Sequence, residues 1–160
     1  MKKISIIMGS ESDLETVNEA IKVLKEFKAG FEVRVLSAHR TPGDLEDYVT
    51  GAPNRGVHVF IAAAGGAAAL AGVIASHTTL PVIGIPMETK SLKGLDSLLS
   101  TVQMPAGIPV GCMSIGKAGA KNAALFALEI IALTDKNINA GLKSYKKKMR
   151  FKIIKTKIKT

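Results

Sequence analysis

Tryptophan is absent from this chain, and tyrosine and phenylalanine together supply only seven rings in 160 residues. The core must therefore be built from Ile, Val, Leu and Ala. Cys112 is the only cysteine. No intrachain disulfide can form, which fits a reducing, cytoplasmic setting. No uninterrupted apolar run reaches the roughly 18 residues that a membrane span requires. The start, Lys2-Lys3-Ile4-Ser5-Ile6-Ile7-Met8, has the basic-then-apolar order of a signal peptide. The run is too short, and Ser10, Glu11 and Asp13 follow at once, so a first strand is expected there. No spacing of His, Cys and carboxylates points to a metal site. Neither G-x-G-x-x-G nor the phosphate-loop ending G-K-[ST] occurs.

What the chain does have is apolar bulk, 47% of its residues. A single domain of this length buries roughly 70% of the surface of its unfolded chain, enough for a substantial core. The net charge of +9 is unevenly spread. Residues 1–142 hold 13 basic and 13 acidic side chains, and residues 143–160 hold 9 basic and no acidic ones. We read 1–142 as one α/β domain and 143–160 as a basic C-terminal helix or tail. A solvated helix end is the expectation for that tail. Nucleic-acid binding is disfavoured, because Tyr145 and Phe151 are its only rings.

Apolar runs alternate with helical spacing along the chain. Strands are expected at Ile4–Met8, Phe31–Leu36, Val57–Ala62, Val82–Ile85 and Pro109–Ile115. Leu14, Val17, Ala20, Ile21, Leu24 and Phe27 recur at helical spacing, and Thr41-Pro42 reads as N-cap and first residue of a second helix. Further helices are expected at Gly65–Ser76, Ser91–Leu99, Ala118–Leu133 and from about Lys136. This pattern predicts a three-layer, flavodoxin-like or Rossmann-like parallel sheet of about five strands with helices on both faces. In such sheets ligands bind beyond the carboxyl ends of the strands.

Three loops at those ends carry unusual residues. In Gly9-Ser10-Glu11-Ser12-Asp13, Ser12 and Glu15 have capping-box spacing, and a helix start can hold phosphate on its free N–H groups. Glu11 and Asp13 would repel phosphate and suit ribose hydroxyls better. Ordinary helix capping is the alternative. Ser37–Pro42 places a hydroxyl, an imidazole (His39) and a guanidinium (Arg40) at one strand end. Histidine carries protons near neutral pH, and arginine matches phosphate with a planar fork. Local caps and salt bridges are the alternative. The third loop, Ala62–Ala69 with Gly65 and Gly66, is too small and apolar for acid–base work. It can wall a flat ring or carbon dioxide, or serve tight helix–sheet packing. His58 and His77 are expected to be structural or on the surface, and Cys112 a buried, inert thiol. Met104, before Pro105, lies in a loop that can cover a site or pack on a neighbouring subunit.

Taken together, the motifs resemble one family. They are Met8-Gly9-Ser10-x-Ser12-Asp13, Ser37-Ala38-His39-Arg40-Thr41-Pro42, Ala64-Gly65-Gly66-Ala67-Ala68, Leu80-Pro81-Val82-Ile83-Gly84, Gly94–Ser100 and Val102–Val110. In this order they are similar to the N5-carboxyaminoimidazole ribonucleotide mutases, the PurE family, over about residues 3–135. The resemblance implies a flavodoxin-like fold, a cytoplasmic homo-octamer with sites at subunit contacts, and a ribonucleotide substrate. It implies isomerisation of N5-carboxyaminoimidazole ribonucleotide to 4-carboxy-5-aminoimidazole ribonucleotide without ATP, metal or cofactor. It assigns acid–base work to His39 and phosphate binding to Arg40, Ser10 and Ser12. Asp13 corresponds to a ribose contact, and Ser37, Ala38, Gly65 and Gly66 line the rest of the pocket. The chain departs from the family at Ala69, where histidine is usual, at Ala71 (proline) and at Ala63 (glycine). A carboxylase using free carbon dioxide, and a ribonucleotide-binding module impaired in catalysis, are the competing readings.

Overall fold

The computed structural model describes residues 2–156. Residues 157–160 of the basic tail lie outside the described residues. Five parallel strands form one sheet: β1 (Lys3–Met8), β2 (Gly30–Val35), β3 (Val57–Ala64), β4 (Val82–Pro86) and β5 (Gly111–Cys112). Their order is β2-β1-β3-β4-β5. This is the flavodoxin-like arrangement, as the alternation of strands and helices predicted. Its order reverses between β1 and β3, which leaves a crevice for ligands at their carboxyl ends.

The helices are α1 (Leu14–Glu26), α2 (Pro42–Thr50), α3 (Leu70–Ser76), α4 (Leu95–Val102), α5 (Gly116–Ala132) and α6 (Lys136–Ile154). Strand alternation sorts the core into two layers. Ile4, Ile6, Val59, Ile61, Ile83 and Ile85 face the side covered by α1 and α5. Ile7, Phe60, Ala62 and Val82 face Leu45 and Val49 of α2 and Leu70 and Ile74 of α3. Both faces of the sheet are thus dry. That is why β1, β3 and β4 read as continuous apolar runs rather than as alternating ones. Ser5 breaks the run in β1 and is fully buried, and its hydroxyl is satisfied by the Tyr48 hydroxyl at 2.9 Å.

Several boundaries differ from the expected ones, each for a local reason. The helix expected from Gly65 begins only at Leu70, because Gly66 adopts φ +69, a left-handed conformation that a helix cannot contain. The helix expected from Ser91 begins at Leu95, since Lys93 (φ 53) and Gly94 (φ 92) are both left-handed. The strand expected over Pro109–Ile115 pairs with β4 only at Gly111 and Cys112, with one further bond from the Met113 N–H to the Gly84 carbonyl. Pro109 offers no N–H to a ladder, and the chain turns into α5 at Gly116. The tail is helical through Ile154. Leu142 is its buried contact with the core, Tyr145 meets the Phe27 ring at 5.8 Å, and Lys146 pairs with Glu129.

Candidate active site

The loops after β1, β2 and β3 converge on one cleft of about 240 Å³ beside the β1/β3 switch point. Ser10, Ser12, Asp13, Ser37, Ala38, His39, Arg40 and Gly65 all line it. Of the expected site residues, only Gly66 does not. Its N–H turns away to the Ser97 hydroxyl of α4, 3.0 Å distant. Gly9, Ala64, Ala67, Ala69 and Leu70 complete the wall. A larger cleft of about 710 Å³ opens at the other end of the sheet. It offers no Asp, Glu, Lys or Arg, and His77 is its only ionisable side chain.

The first loop does not form the expected capping box. Glu15 points outward to Lys117 at 2.6 Å, and that contact lowers the Glu15 pKa. Ser10 takes the capping position instead. Its Oγ accepts from the Ser12 N–H at 3.4 Å and the Ser12 hydroxyl at 3.0 Å, so both hydroxyls are gathered at the cleft. A single helical turn, Glu11–Asp13, leads into α1. Asp13 is half-buried. Burial raises its pKa above the usual carboxylate value, opposed by a backbone hydrogen bond at Ser10. Glu11 stays exposed and does not line the cleft.

The second loop is a turn that locks itself. Thr41 precedes α2 as expected, but its hydroxyl serves the loop rather than the helix. Thr41 Oγ1 accepts from the Ser37 N–H at 2.9 Å and donates to the Ser37 carbonyl. Ser37 Oγ in turn accepts from the Arg40 N–H at 3.2 Å and from Arg40 Nε at 3.3 Å. Arg40 Nη2 donates to the Gly9 carbonyl at 2.8 Å. The guanidinium therefore ties the second loop to the first and keeps N–H donors to spare among its five. Among the described residues it is the only Lys or Arg lining the cleft. His39 is exposed on the same turn.

The third loop supplies no ionisable group. Ala69, at the position where the resemblance leads one to expect a histidine, lines the cleft with a methyl group. Besides the Arg40 guanidinium, a fixed cation, His39 and Asp13 are the only ionisable side chains among the described residues that line the cleft. The other expectations divide. His58 is exposed on β3 and bonds the Gly56 carbonyl at 2.9 Å. His77 ends α3, 3.7 Å from Glu46. Cys112 is only partly buried, and that burial raises its pKa, so it holds little thiolate. Met104 packs on Gly72 of α3 within the same chain. Among the described residues no three His, Cys, Asp or Glu side chains cluster as a metal site would require. Ser97 was not singled out by sequence reasoning; its only signal was its place inside the Gly94–Ser100 motif.

The fold and cleft define a class: a flavodoxin-like α/β protein with a phosphate-compatible cleft at the strand ends and a lone histidine beside it. The pattern of the AIR carboxylase family matches residues 3–152, and the chain belongs to that family. It is 54% identical to the N5-carboxyaminoimidazole ribonucleotide mutase of Pyrococcus abyssi over 150 residues, 94% of this chain and 85% of the relative. It is 53% identical to the protein of that name from Bacillus subtilis over 135 residues, 84% of this chain and 83% of the relative. The crystal structure of Treponema denticola PurE superposes with a TM-score of 0.87 at 30% identity, covering 96% of this chain and 95% of that one.

Proposed function

We propose that the chain converts N5-carboxyaminoimidazole ribonucleotide to 4-carboxy-5-aminoimidazole ribonucleotide, a mutase step of purine biosynthesis. The reading is supported by the names of its relatives at about half identity over nearly the whole chain. The observation that carries it here is the convergence of His39, Arg40, Asp13 and three serines on one cleft walled by Ala and Gly.

The chemistry follows from what each group can do. Arg40 and the Ser10 and Ser12 hydroxyls take the phosphate, and the Asp13 carboxylate accepts from ribose hydroxyls. This places the aminoimidazole against the Gly65–Ala69 wall and near His39. Protonated His39 gives its proton to the carbamate nitrogen as the N–CO₂ bond breaks, which releases carbon dioxide and a neutral amine. The electron-rich C4 of the ring attacks that carbon dioxide, forming the C4–carboxylate bond. Neutral His39 then removes the C4 proton and the ring regains aromaticity. One proton leaves His39 and one returns, so the step needs no outside acid, oxidant or carrier. The small apolar wall matters because carbon dioxide is itself apolar, and a dry, close-fitting pocket retains it.

The chain works as a homo-octamer in the cytoplasm. An oligomer is supported by the apolar face of α4, where Leu95, Leu99 and Val102 are each about half exposed at helical spacing.

His39→Asn tests the assignment. General acid–base catalysis is worth on the order of 10²–10⁴-fold. The variant is expected to keep its fold and its ribonucleotide affinity while losing turnover by that factor. Near-normal turnover would remove His39 from the mechanism. Assaying the native chain with N5-carboxyaminoimidazole ribonucleotide, and separately with aminoimidazole ribonucleotide plus bicarbonate, distinguishes the mutase from a carboxylase. Tight ribonucleotide binding with no turnover of either substrate would mark an impaired binding module.

A further inference from the structure

We infer that Ser97 of α4 is a positioning residue for this reaction, acting through Gly66 on the wall that confines carbon dioxide. The inference rests on the mutase reading above. Ser97 is completely buried, one of three buried polar residues among those described. A buried hydroxyl is costly unless it is bonded. The partner here is the Gly66 N–H at 3.0 Å. One turn further along α4, the Ser100 hydroxyl reaches the Gly66 carbonyl at 3.3 Å, alongside a shorter bond to the Asp96 carbonyl. Both polar groups of the Gly66 backbone are thus held by one helix.

Gly66 itself does not line the cleft, but its neighbours Gly65 and Ala67 do. The loop is Ala-Gly-Gly-Ala-Ala-Ala, so it has almost no side chain with which to fix its own position by packing. Gly66 is left-handed (φ +69), with open space where a side chain would stand. The Gly66 carbonyl also accepts from the Ala68 N–H at 2.8 Å within the loop, but the Gly66 N–H is held by Ser97 of α4, which ties this segment to the helix behind the cleft wall. The start of α4 is itself tied down, because the Thr89 hydroxyl donates to Asp96 Oδ1 at 2.8 Å and accepts from the Gly94 N–H at 3.2 Å. If Gly66 is released, the wall moves and carbon dioxide gains a path to water, while the phosphate and ribose contacts on the other two loops persist.

That separation sets the test. Ser97→Ala should lower kcat about tenfold with KM changed little. It should also raise, about tenfold, the share of substrate released as decarboxylated aminoimidazole ribonucleotide rather than as the C4-carboxylated product. Added ¹⁴C-bicarbonate should enter the product more readily than with the native enzyme. Ser97→Thr, which keeps the hydroxyl, should restore the native partition. A merely structural loss would lower the active fraction without changing the partition, and a native partition in folded Ser97→Ala overturns the inference. Should that variant fail to fold, Ser97→Cys, nearly the same size but a weak acceptor, is read in the same way. Amide hydrogen exchange at Gly66 gives a readout independent of activity, expected to be about tenfold faster in the variant. If the native chain proves not to be a mutase, that exchange rate still decides the positioning claim, and an unchanged rate overturns it.

Discussion

Asp13 occupies a setting that disfavours its charge, and the proposed ribose contact is the use a carboxyl would have there. Burial holds its pKa above the ordinary value, so the folded chain retains a proton at a pH where the unfolded chain has lost it. The native state binds more protons across that interval, and stability falls as pH rises through it. Above the interval the penalty is constant, and Asp13→Asn removes it. We expect that variant to melt about 1–2 °C higher at pH 7, a small gain because water still reaches half of the group, and to bind substrate about tenfold more weakly through the lost charged acceptor. Melting curves against pH and a KM measurement check the two halves. Arg40→Lys should also bind substrate about tenfold more weakly. An ammonium cannot reproduce the fork that bonds Ser37 and the Gly9 carbonyl and still leaves N–H donors for the proposed phosphate. The residue types at both positions were readable from spacing and chemistry, but the Arg40–Gly9 tie was not. It joins loops 31 residues apart that only the β1–β2 pairing brings together.

At the scale of elements, one junction is set by close packing and another by charge. Gly84 in β4 lies under α4, where an added Cβ would overlap the Thr101 methyl and press on Val110 at 3.3 Å and Ala71 at 3.4 Å. Gly84→Ala should therefore push α4 off the sheet, at a cost of about 1–3 kcal/mol in stability by chemical denaturation. Because α4 holds Gly66, it should lower turnover as well. The second junction links α2 to β1 and β2 through Tyr48, whose hydroxyl donates to Glu32 Oε1 at 2.5 Å, with Arg55 Nε at 3.2 Å from the same oxygen. Burial alone would raise the Glu32 pKa, but the bonds from Tyr48 and Arg55 outweigh it and the pKa is lowered. The stability this contributes is present above the unfolded pKa and is lost as pH falls through the folded one. Glu32→Gln should flatten the acid limb of a plot of melting temperature against pH. Periodicity made the helices and central strands legible. It misplaced the starts of α3 and α4, because a left-handed glycine leaves no mark in an apolar pattern.

At the scale of the molecule, the exposed face of α4 and the outward run of α6 are surfaces that one subunit does not cover. Sedimentation of the native protein should give an octamer, and Leu99→Glu should shift it to smaller species. Sedimentation of the native chain as a monomer would refute the proposed assembly. The described residues contain no helix long and apolar enough to cross a membrane. The sequence by itself determined the fold class, the five-strand count and the three loops that line the cleft, because sheet burial on both faces writes continuous apolar runs and the strand-end loops must follow them. Its motifs also identified the family. Only the tertiary structure decided which residues of those loops face one another. It gathered Ser10 with Ser12, turned Glu15 away to Lys117, set Gly66 behind the wall and brought the buried Ser97 hydroxyl to its amide. Those outcomes depend on contacts between segments far apart in the chain, and no local pattern encodes the direction in which a loop's backbone will point.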